Sequence, residues 1–521
     1  MSHTITLRAG IPDEANRDYL PEIIKTTQIV VNENGNNSQP YPERLREYRA
    51  VLDEDGRIVN DPNAGIAGVW YEYVPESFDP AKKTPLVVSL HGGLMTGWGQ
   101  CIYSSWSILA EREGFLCVFP NGYTNRFWQM QMFPTRDGTK PPPLAGLEIP
   151  DPAPTIEENT DCNFLLRLIR HMEEKYPVDR GRIYMQGMSN GSGMTQQFSR
   201  RYGYLLAGAA CSAGSCRLRP YLDKDTRALL NQGGPLAVWE SHPENNGYGN
   251  ADREAEARTV RESRYYWMRV NGCGPMPKIR IEGEANMAFY MDGKAPYVFN
   301  DIKLRDHGQA LDEAFFYWDY LFAGTRRAED GTLLQEKTPL STEGDAFAAA
   351  FVPGLKTVWW KNEVTQLSAA PVRWQKLKYH GLNGGELVRG EYTCVPVRFL
   401  AEMAGGTLCV SEDTLSAVVT LPDGCALQFA RGSIGCMIDG RMRAMYCEAL
   451  HREGELLISV EWFARAVMGW TATECGGVAY VTDHFAELSA FMADLIRDLL
   501  TDRAFPENFI DEALQDRATA L

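Results

Sequence analysis

Short apolar runs alternate along this chain with stretches in which apolar residues recur every three or four positions. Val69-Trp70-Tyr71-Glu72-Tyr73-Val74 is rich in aromatic and β-branched residues and predicts a strand. Pro85-Leu86-Val87-Val88-Ser89-Leu90 is almost continuously apolar, the pattern of a parallel strand buried on both faces. A helix is predicted from Trp106 to Glu113, then a strand from Phe115 to Pro120. From Asp161 to Tyr176, Phe164, Leu165, Leu168, Ile169 and Met172 fall on one helical face, and Pro177 ends the run. Further strand-like runs are Leu205–Ala210, Pro235–Trp239 and Lys278–Ile281. Further helices are predicted over Thr195–Arg201, Asp252–Val270 and Ala310–Phe322. Strands alternating with helices predict an α/β fold with a mainly parallel sheet.

The pattern changes along the chain in ways that divide it. Residues 1–65 are polar and turn-rich and read as an N-terminal extension with a hairpin or two. Residues 66–325 carry the α/β pattern. Residues 326–375 read as a linker or bridging segment, charged and turn-rich at the start. Residues 376–521 contain an internal repeat. Val395-Pro396-Val397-Arg398-Phe399-Leu400-Ala401-Glu402 matches Ile458-Ser459-Val460-Glu461-Trp462-Phe463-Ala464-Arg465 at an offset of 63 residues. The same offset relates Gly406 to Gly469 and Leu415-Ser416-Ala417-Val418 to Val478-Ala479-Tyr480-Val481. Each half reads as an amphipathic helix followed by strands, two halves burying a face that neither could bury alone. A smaller α+β repeat domain without chemistry is the expectation for this tail.

Composition narrows the functional classes. The 521 residues exceed one ordinary core, and the 44% hydrophobic content is that of a soluble globular protein. The net charge of −16 argues against nucleic acid and anionic membrane as partners. No apolar run is long enough for a membrane span. Met1 to Arg8 lacks a basic start followed by an apolar core, and the twelve cysteines are scattered without a Cys-x-x-Cys pair. These features predict reduced thiols, no metal, no cofactor and a cytoplasmic location, or a secreted or surface one had a leader been removed.

The chemistry concentrates at Gly187-Met188-Ser189-Asn190-Gly191, set between a β-rich run and a helical one. A nucleophilic serine must stand clear of the backbone, and a sharp strand-to-helix turn between near-naked residues achieves this. Gly-x-Ser-x-Gly alone is a short pattern that also occurs as a plain glycine-rich turn. The flanking strand and helix favour Ser189 as nucleophile, with the Asn190 N–H aimed at the developing oxyanion. A second oxyanion donor is expected from Gly93 or Leu94, in the loop after the first buried strand. His91 reads as a turn residue fixing that loop. In the order serine, acid, histidine, the candidates for the base before the tail are His242 and His307, and His307 is expected because it lies after the last strand-like run and before the closing helix. The acid is expected after Pro235–Trp239, where Glu240-Ser241-His242-Pro243-Glu244 offers no aspartate. Glu244 is the first choice, Glu240 the second and Asp252 the third. Trp106, Phe127 and Trp128 are candidates for an acyl pocket or for the core.

These motifs carry two resemblances. Lys175-Tyr176-Pro177-Val178-Asp179-Arg180-Gly181-Arg182-Ile183-Tyr184, leading into the Ser189 elbow, resembles the polyhydroxybutyrate-depolymerase and feruloyl-esterase branch of the α/β-hydrolases. His91-Gly92-Gly93, Phe119-Pro120-Asn121-Gly122 and Trp267 with Asn271-Gly272-Cys273 share that likeness. The resemblance implies a triad of Ser189, Glu244 and His307, although the usual acid there is Asp. Val395 to Glu402 resembles the signature of the repeat domain named after the N-terminal domain of copper amine oxidases. That resemblance implies a non-catalytic module, associated with surfaces or carbohydrate, and no copper. The expected function is a serine carboxylic-ester hydrolase working through an acyl-enzyme, on acetyl or feruloyl esters of plant polysaccharides or on short polyesters. A serine peptidase of the same fold and a binding protein with a degenerate hydrolase domain are the rival classes.

Overall fold

The computed structural model describes residues 44–52, 58–60 and 509–515, and residues 68–504 except 124–125, 134–138, 145, 216–217, 224, 247–252 and 380–387. Most of the expected N-terminal extension, and Asp252, lie outside the described residues. The first strands are β1 (Leu45–Leu52), β2 (Ile58–Asn60), β3 (Val69–Tyr73), β4 (Thr84–Leu90) and β5 (Leu116–Pro120). They continue with β6 (Val178–Met188), β7 (Gly208–Ser212), β8 (Ala237–Asn245), β9 (Lys278–Glu282), β10 (Ala285–Tyr290) and β11 (Tyr297–Asp306). All eleven join one mixed sheet in the order β2-β1-β3-β5-β4-β6-β7-β8-β11-β10-β9. The run from β5 to β11 is parallel, and the strands outside it are antiparallel.

Helices cover both faces, as a parallel sheet requires. On one side, α3 (Thr160–Lys175), α4 (Asn190–Tyr202) and α5 (Arg253–Asn271) pack on Leu86, Val88, Leu116 and Met185. On the other, α2 (Trp106–Glu113) and α6 (Glu313–Tyr320) pack on Val87, Cys117, Phe119 and Tyr184. The α/β expectation therefore holds. The α3 helix starts where Asn159 caps it, its side-chain oxygen accepting from the Cys162 N–H at 2.9 Å. The short α1 (Gly97–Tyr103), absent from the sequence reading, begins at Thr96.

Two differences matter for the site. β11 did not show in the hydrophobic pattern, because its centre carries Asn300 and Asp301, both fully buried. It pairs in parallel with β8 and delivers His307 from the end of the sheet. The expected division at residues 65 and 375 also differs from the structure. β1 pairs with β3, inside the sheet. Ala348–Phe351, Thr357–Trp360 and Glu363–Gln366, from the expected linker, share a five-stranded sheet with Thr471–Cys475 and Val478–Thr482.

Residues 388–482 contain two segments that each run strand, helix, hairpin. Val388–Pro396, α7 (Val397–Met403) and the hairpin Thr407–Val410/Ser416–Thr420 form one half. Glu455–Ser459, α8 (Val460–Trp462) and the hairpin Thr471–Cys475/Val478–Thr482 form the other. Val395 and Ile458, equivalent in the repeat, are direct cross-strand partners, so a local two-fold axis passes between them. The second half also packs onto the α/β unit. Trp359, Tyr480 and, from α9 (Ala490–Leu500), Phe491, Leu495 and Ile496 belong to the same apolar cluster as Val260 of α5 and Phe299 of β11. Asp345 and Asn362 accept from the N–H groups of Ile281 and Ile279 at 3.1 and 2.7 Å, covering the exposed edge of β9.

Burial of a large apolar side chain contributes about 1.5–3 kcal/mol. Removing Phe491, Met492, Leu495, Ile496 and Leu499 from this cluster costs on the order of 10 kcal/mol, comparable to a whole domain's stability. A chain ending at residue 342 is therefore expected to be insoluble or molten. A sharp two-state melt of that fragment, matching the full chain by circular dichroism, would disprove the shared core.

Candidate active site

β6 ends in the elbow, and Ser189 there has φ 53° and ψ −114°, a conformation that an L-residue enters only under constraint. The turn is closed by contact between backbones. A Cβ on Gly187 would lie 2.1 Å from the Gly191 carbonyl oxygen, and one on Gly191 would lie 2.4 Å from that of Leu90. The Ser189 N–H donates to the Ser212 carbonyl at 2.8 Å, and its carbonyl accepts from Gly193 at 3.0 Å. These contacts fix the direction of the hydroxyl.

His307 follows β11 and meets this hydroxyl, with Nε2 2.8 Å from Ser189 Oγ. Burial pushes the imidazole below its ordinary value, against the smaller upward pulls of Asp306 and Glu256. It is therefore a neutral acceptor at pH 7, as a general base must be. The histidine loop is pinned from below. The Gln309 N–H donates to the Tyr103 hydroxyl at 3.0 Å, and its side-chain oxygen accepts from Gln100 and Gln186 at 3.3 and 3.2 Å.

The acid side differs from the expectation. Glu244 is engaged away from His307, accepting from Lys303 Nζ at 3.1 Å and from the N–H groups of Leu304 and Ala490 at 2.8 and 2.7 Å. Glu240 is buried in the core, where Gln196, Ser263 and Tyr297 donate to it at 2.6, 2.5 and 2.6 Å. The group opposite His307 Nδ1 is Asn246, its Oδ1 2.6 Å away. The sequence does not predict Asn246 in this place, because an amide is not an acid. Its place in the turn just past β8 was the available signal.

The loop after β4 carries the other expected oxyanion donors. His91 is buried and held near neutrality, its imidazole pushed down to about 4 by desolvation. Its Nε2 accepts from the Gly122 N–H at 2.9 Å, so the Nδ1–H donates to the Gly92 carbonyl at 2.7 Å. His91 thus shapes the loop. Leu94 there has φ 67°, and the Phe127 ring closes on Gly93. Asn190 opens α4, where helix starts leave backbone N–H groups unbonded within the helix. Its side chain accepts from the Trp128 N–H at 2.7 Å. Trp106 is a core residue, and Trp128 is a buried strut whose Nε1 donates to the His91 carbonyl at 2.8 Å. Asp161 ties down the facing loop, accepting from the Tyr123 and Gln129 N–H groups at 2.5 Å each. Among the described residues no cluster of three or more His, Cys, Asp or Glu is spaced to hold a metal ion, and no helix is long and apolar enough to cross a membrane.

Strand order, the elbow after β6 and the histidine after β11 define an α/β-hydrolase fold. Comparisons with known proteins find partial similarities to esterases. A bifunctional acetylxylan esterase/xylanase from Neocallimastix patriciarum is 29% identical over 142 residues, covering 27% of this chain and 17% of that enzyme. A feruloyl esterase B from Neurospora crassa is 27% identical over 229 residues, 39% of this chain and 70% of the esterase. The chain spans half or less of the length of further acetylxylan and feruloyl esterases that it matches. The solved acetyl xylan esterase from Aspergillus awamori aligns with 48% of this chain and 92% of its own, at 15% identity and a TM-score of 0.33. No protein-family model matches the chain.

Behind Asn246, His242 lies between Asp301 and Glu256, at 3.1 Å from each. These carboxylates outweigh desolvation and push its imidazole up from 6.5 to about 9. The folded state binds this proton more tightly than the unfolded state. The resulting stabilisation is complete below pH 6.5 and is lost as pH rises through 9. The melting temperature of the full chain is expected to fall across that window, by an amount equivalent to roughly 3 kcal/mol. His242→Gln is expected to flatten the slope, and an unchanged slope would rule this histidine out as its source.

Proposed function

We propose that this protein is a serine carboxylic-ester hydrolase. The observation that carries the reading is the 2.8 Å contact between Ser189 Oγ and His307 Nε2 at a strained strand-to-helix elbow. His307 takes the Ser189 proton as the hydroxyl oxygen attacks the ester carbonyl. The N–H groups of Asn190 and of Gly93 or Leu94 receive the oxyanion. The alcohol leaves with the proton from His307, and water then releases the acyl group from Ser189 by the same base.

The acetylxylan and feruloyl esterases among the relatives support acetyl or feruloyl esters of plant polysaccharides as substrates. Short polyesters are the second choice. The tail is read as the non-catalytic repeat module of the kind found at the N-terminus of copper amine oxidases, and the expected 66–325 unit, extended by β1 and β2, as the catalytic unit. Burial of Tyr480 and α9 in the apolar cluster of the α/β unit argues for a fixed rather than a swinging tail.

A fluorophosphonate probe is expected to label the folded wild type and to leave Ser189→Ala unlabelled. The same substitution is expected to lower ester turnover by roughly 10⁶-fold. p-Nitrophenyl acetate should be hydrolysed in preference to peptide anilides. Full turnover by Ser189→Ala would sink the mechanism, and preference for the anilide would favour a peptidase.

A further inference from the structure

The partner of a catalytic imidazole has two separable tasks. It fixes the ring so that Nε2 faces the nucleophile, and it stabilises the positive charge that appears when the ring takes a proton. Asn246 can do the first directly. Its Oδ1, 2.6 Å from His307 Nδ1, accepts the Nδ1–H and leaves the Nε2 lone pair toward Ser189. Its amide carries no charge for the second task.

A charge stands one step behind it. Glu256, on the first turns of α5, lies beside the Asn246 side chain, and its carboxyl is held low by His242 and by this amide. The same carboxylate faces His242 Nε2 at 3.1 Å, and His242 Nδ1 faces Asp301 Oδ1 at 3.1 Å. Asp301 Oδ2 in turn accepts from the Phe491 N–H of α9 at 3.0 Å. His242 and Asp301 are almost completely buried. A protonated His242 between two carboxylates leaves one net negative charge, with Glu256 as its end nearest the active site.

We propose, on the serine-hydrolase reading above, that Asn246 is the positioning residue for His307 and that it relays the charge of Glu256, which His242 and Asp301 hold in place. The arrangement explains why an amide suits this position. An aspartate at 246 would set a second anion beside Glu256, and neighbouring like charges oppose each other. An amide satisfies both neighbours, accepting from the imidazole and donating to the carboxylate.

Other charged and titratable groups surround the imidazole and enter its titration. Asp306 precedes it in the chain, and Glu256 and His242 act on it through space. Lys303 and Glu244 form an ion pair on the outer side of β11 and β8. Arg253 lies near Glu256 and pairs with Asp494 of α9. From below, Tyr103 receives the Gln309 N–H, with Arg305 and Glu313 around it.

The test uses the full chain labelled with ¹³Cε1-histidine, the His307 signal being assigned by its loss in His307→Gln. Its titration is followed in wild type, Asn246→Asp, Asn246→Ala and Glu256→Gln. The kcat/KM profile of p-nitrophenyl acetate hydrolysis is measured against pH in parallel. The wild-type midpoint is expected below 6.5. Asn246→Asp, which changes almost no volume, is expected to raise it by about one unit or more, and the rising limb of kcat/KM should move with it. Glu256→Gln is expected to lower the midpoint. Asn246→Ala is expected to reduce kcat by about 10²-fold or more with little change in KM. Folded Asn246→Asp and Glu256→Gln chains with an unmoved His307 midpoint would overturn the relay. A wild type that titrates as described yet hydrolyses no ester would support the relay while sinking the hydrolase reading.

Discussion

The structure turns on one backbone conformation. Ser189 sits at φ 53°, where a residue with a side chain is strained by about 1–3 kcal/mol, and the surroundings must hold it there. They do so by bringing β6, α4 and the end of β4 so close that Gly187 and Gly191 have no room for a Cβ. That approach requires β4 and β6 to be neighbours in the sheet, as the order β5-β4-β6 makes them. The chain leaves β4 for β5 on one side and returns through α3 to β6 on the other. The loops at the carboxyl ends of β4 and β6 therefore meet at a switch point, where open α/β sheets bind their ligands. The Gly93–Leu94 loop and Ser189 share one corner because the sheet is wound this way.

The elbow was legible in the sequence because sterics leave few alternatives to its glycine spacing. His307 was legible from the order of catalytic groups along the chain. The strand that carries it was not, since Asn300 and Asp301 interrupt its apolar pattern. Both are buried, Asp301 because His242 and the Phe491 N–H satisfy it. With β11 unseen, the sequence offered no means of knowing that Lys303 stands beside Glu244 and draws its carboxylate away from His307. The identity of the imidazole's partner was thus decided by a neighbour from another strand. Composition around β8 suggested an acid, and tertiary contact supplied an amide.

The tail shows the same limit on a larger scale. Its repeat was readable as a period, and the pairing of Val395 with Ile458 gives that period a physical meaning as a two-fold axis. The two halves nevertheless have different neighbours. The hairpin Thr407–Thr420 extends into the strands up to Ala444, whereas Thr471–Thr482 pairs with Ala348–Phe351. Strands of four and five residues, more than a hundred positions apart, leave no local trace of their pairing. What distinguishes the halves is the company each found, and the second found the α/β unit.

That company bears on the order of events during synthesis. Domains of a nascent chain ordinarily fold as units, the N-terminal one first. Here the amide of Phe491 caps Asp301, the amide of Ala490 caps Glu244, and α9 fills the cluster against β11. The emerging α/β unit must wait for nearly two hundred further residues to leave the ribosome before its last carboxylates and apolar surface are covered. Contacts of such sequence separation are slow to form and leave sticky surface exposed meanwhile. Completion of the corner around Ser189 and His307 is therefore tied to the emergence of α9, and a chain that stops short of α9 carries both residues on a unit without its covering helix.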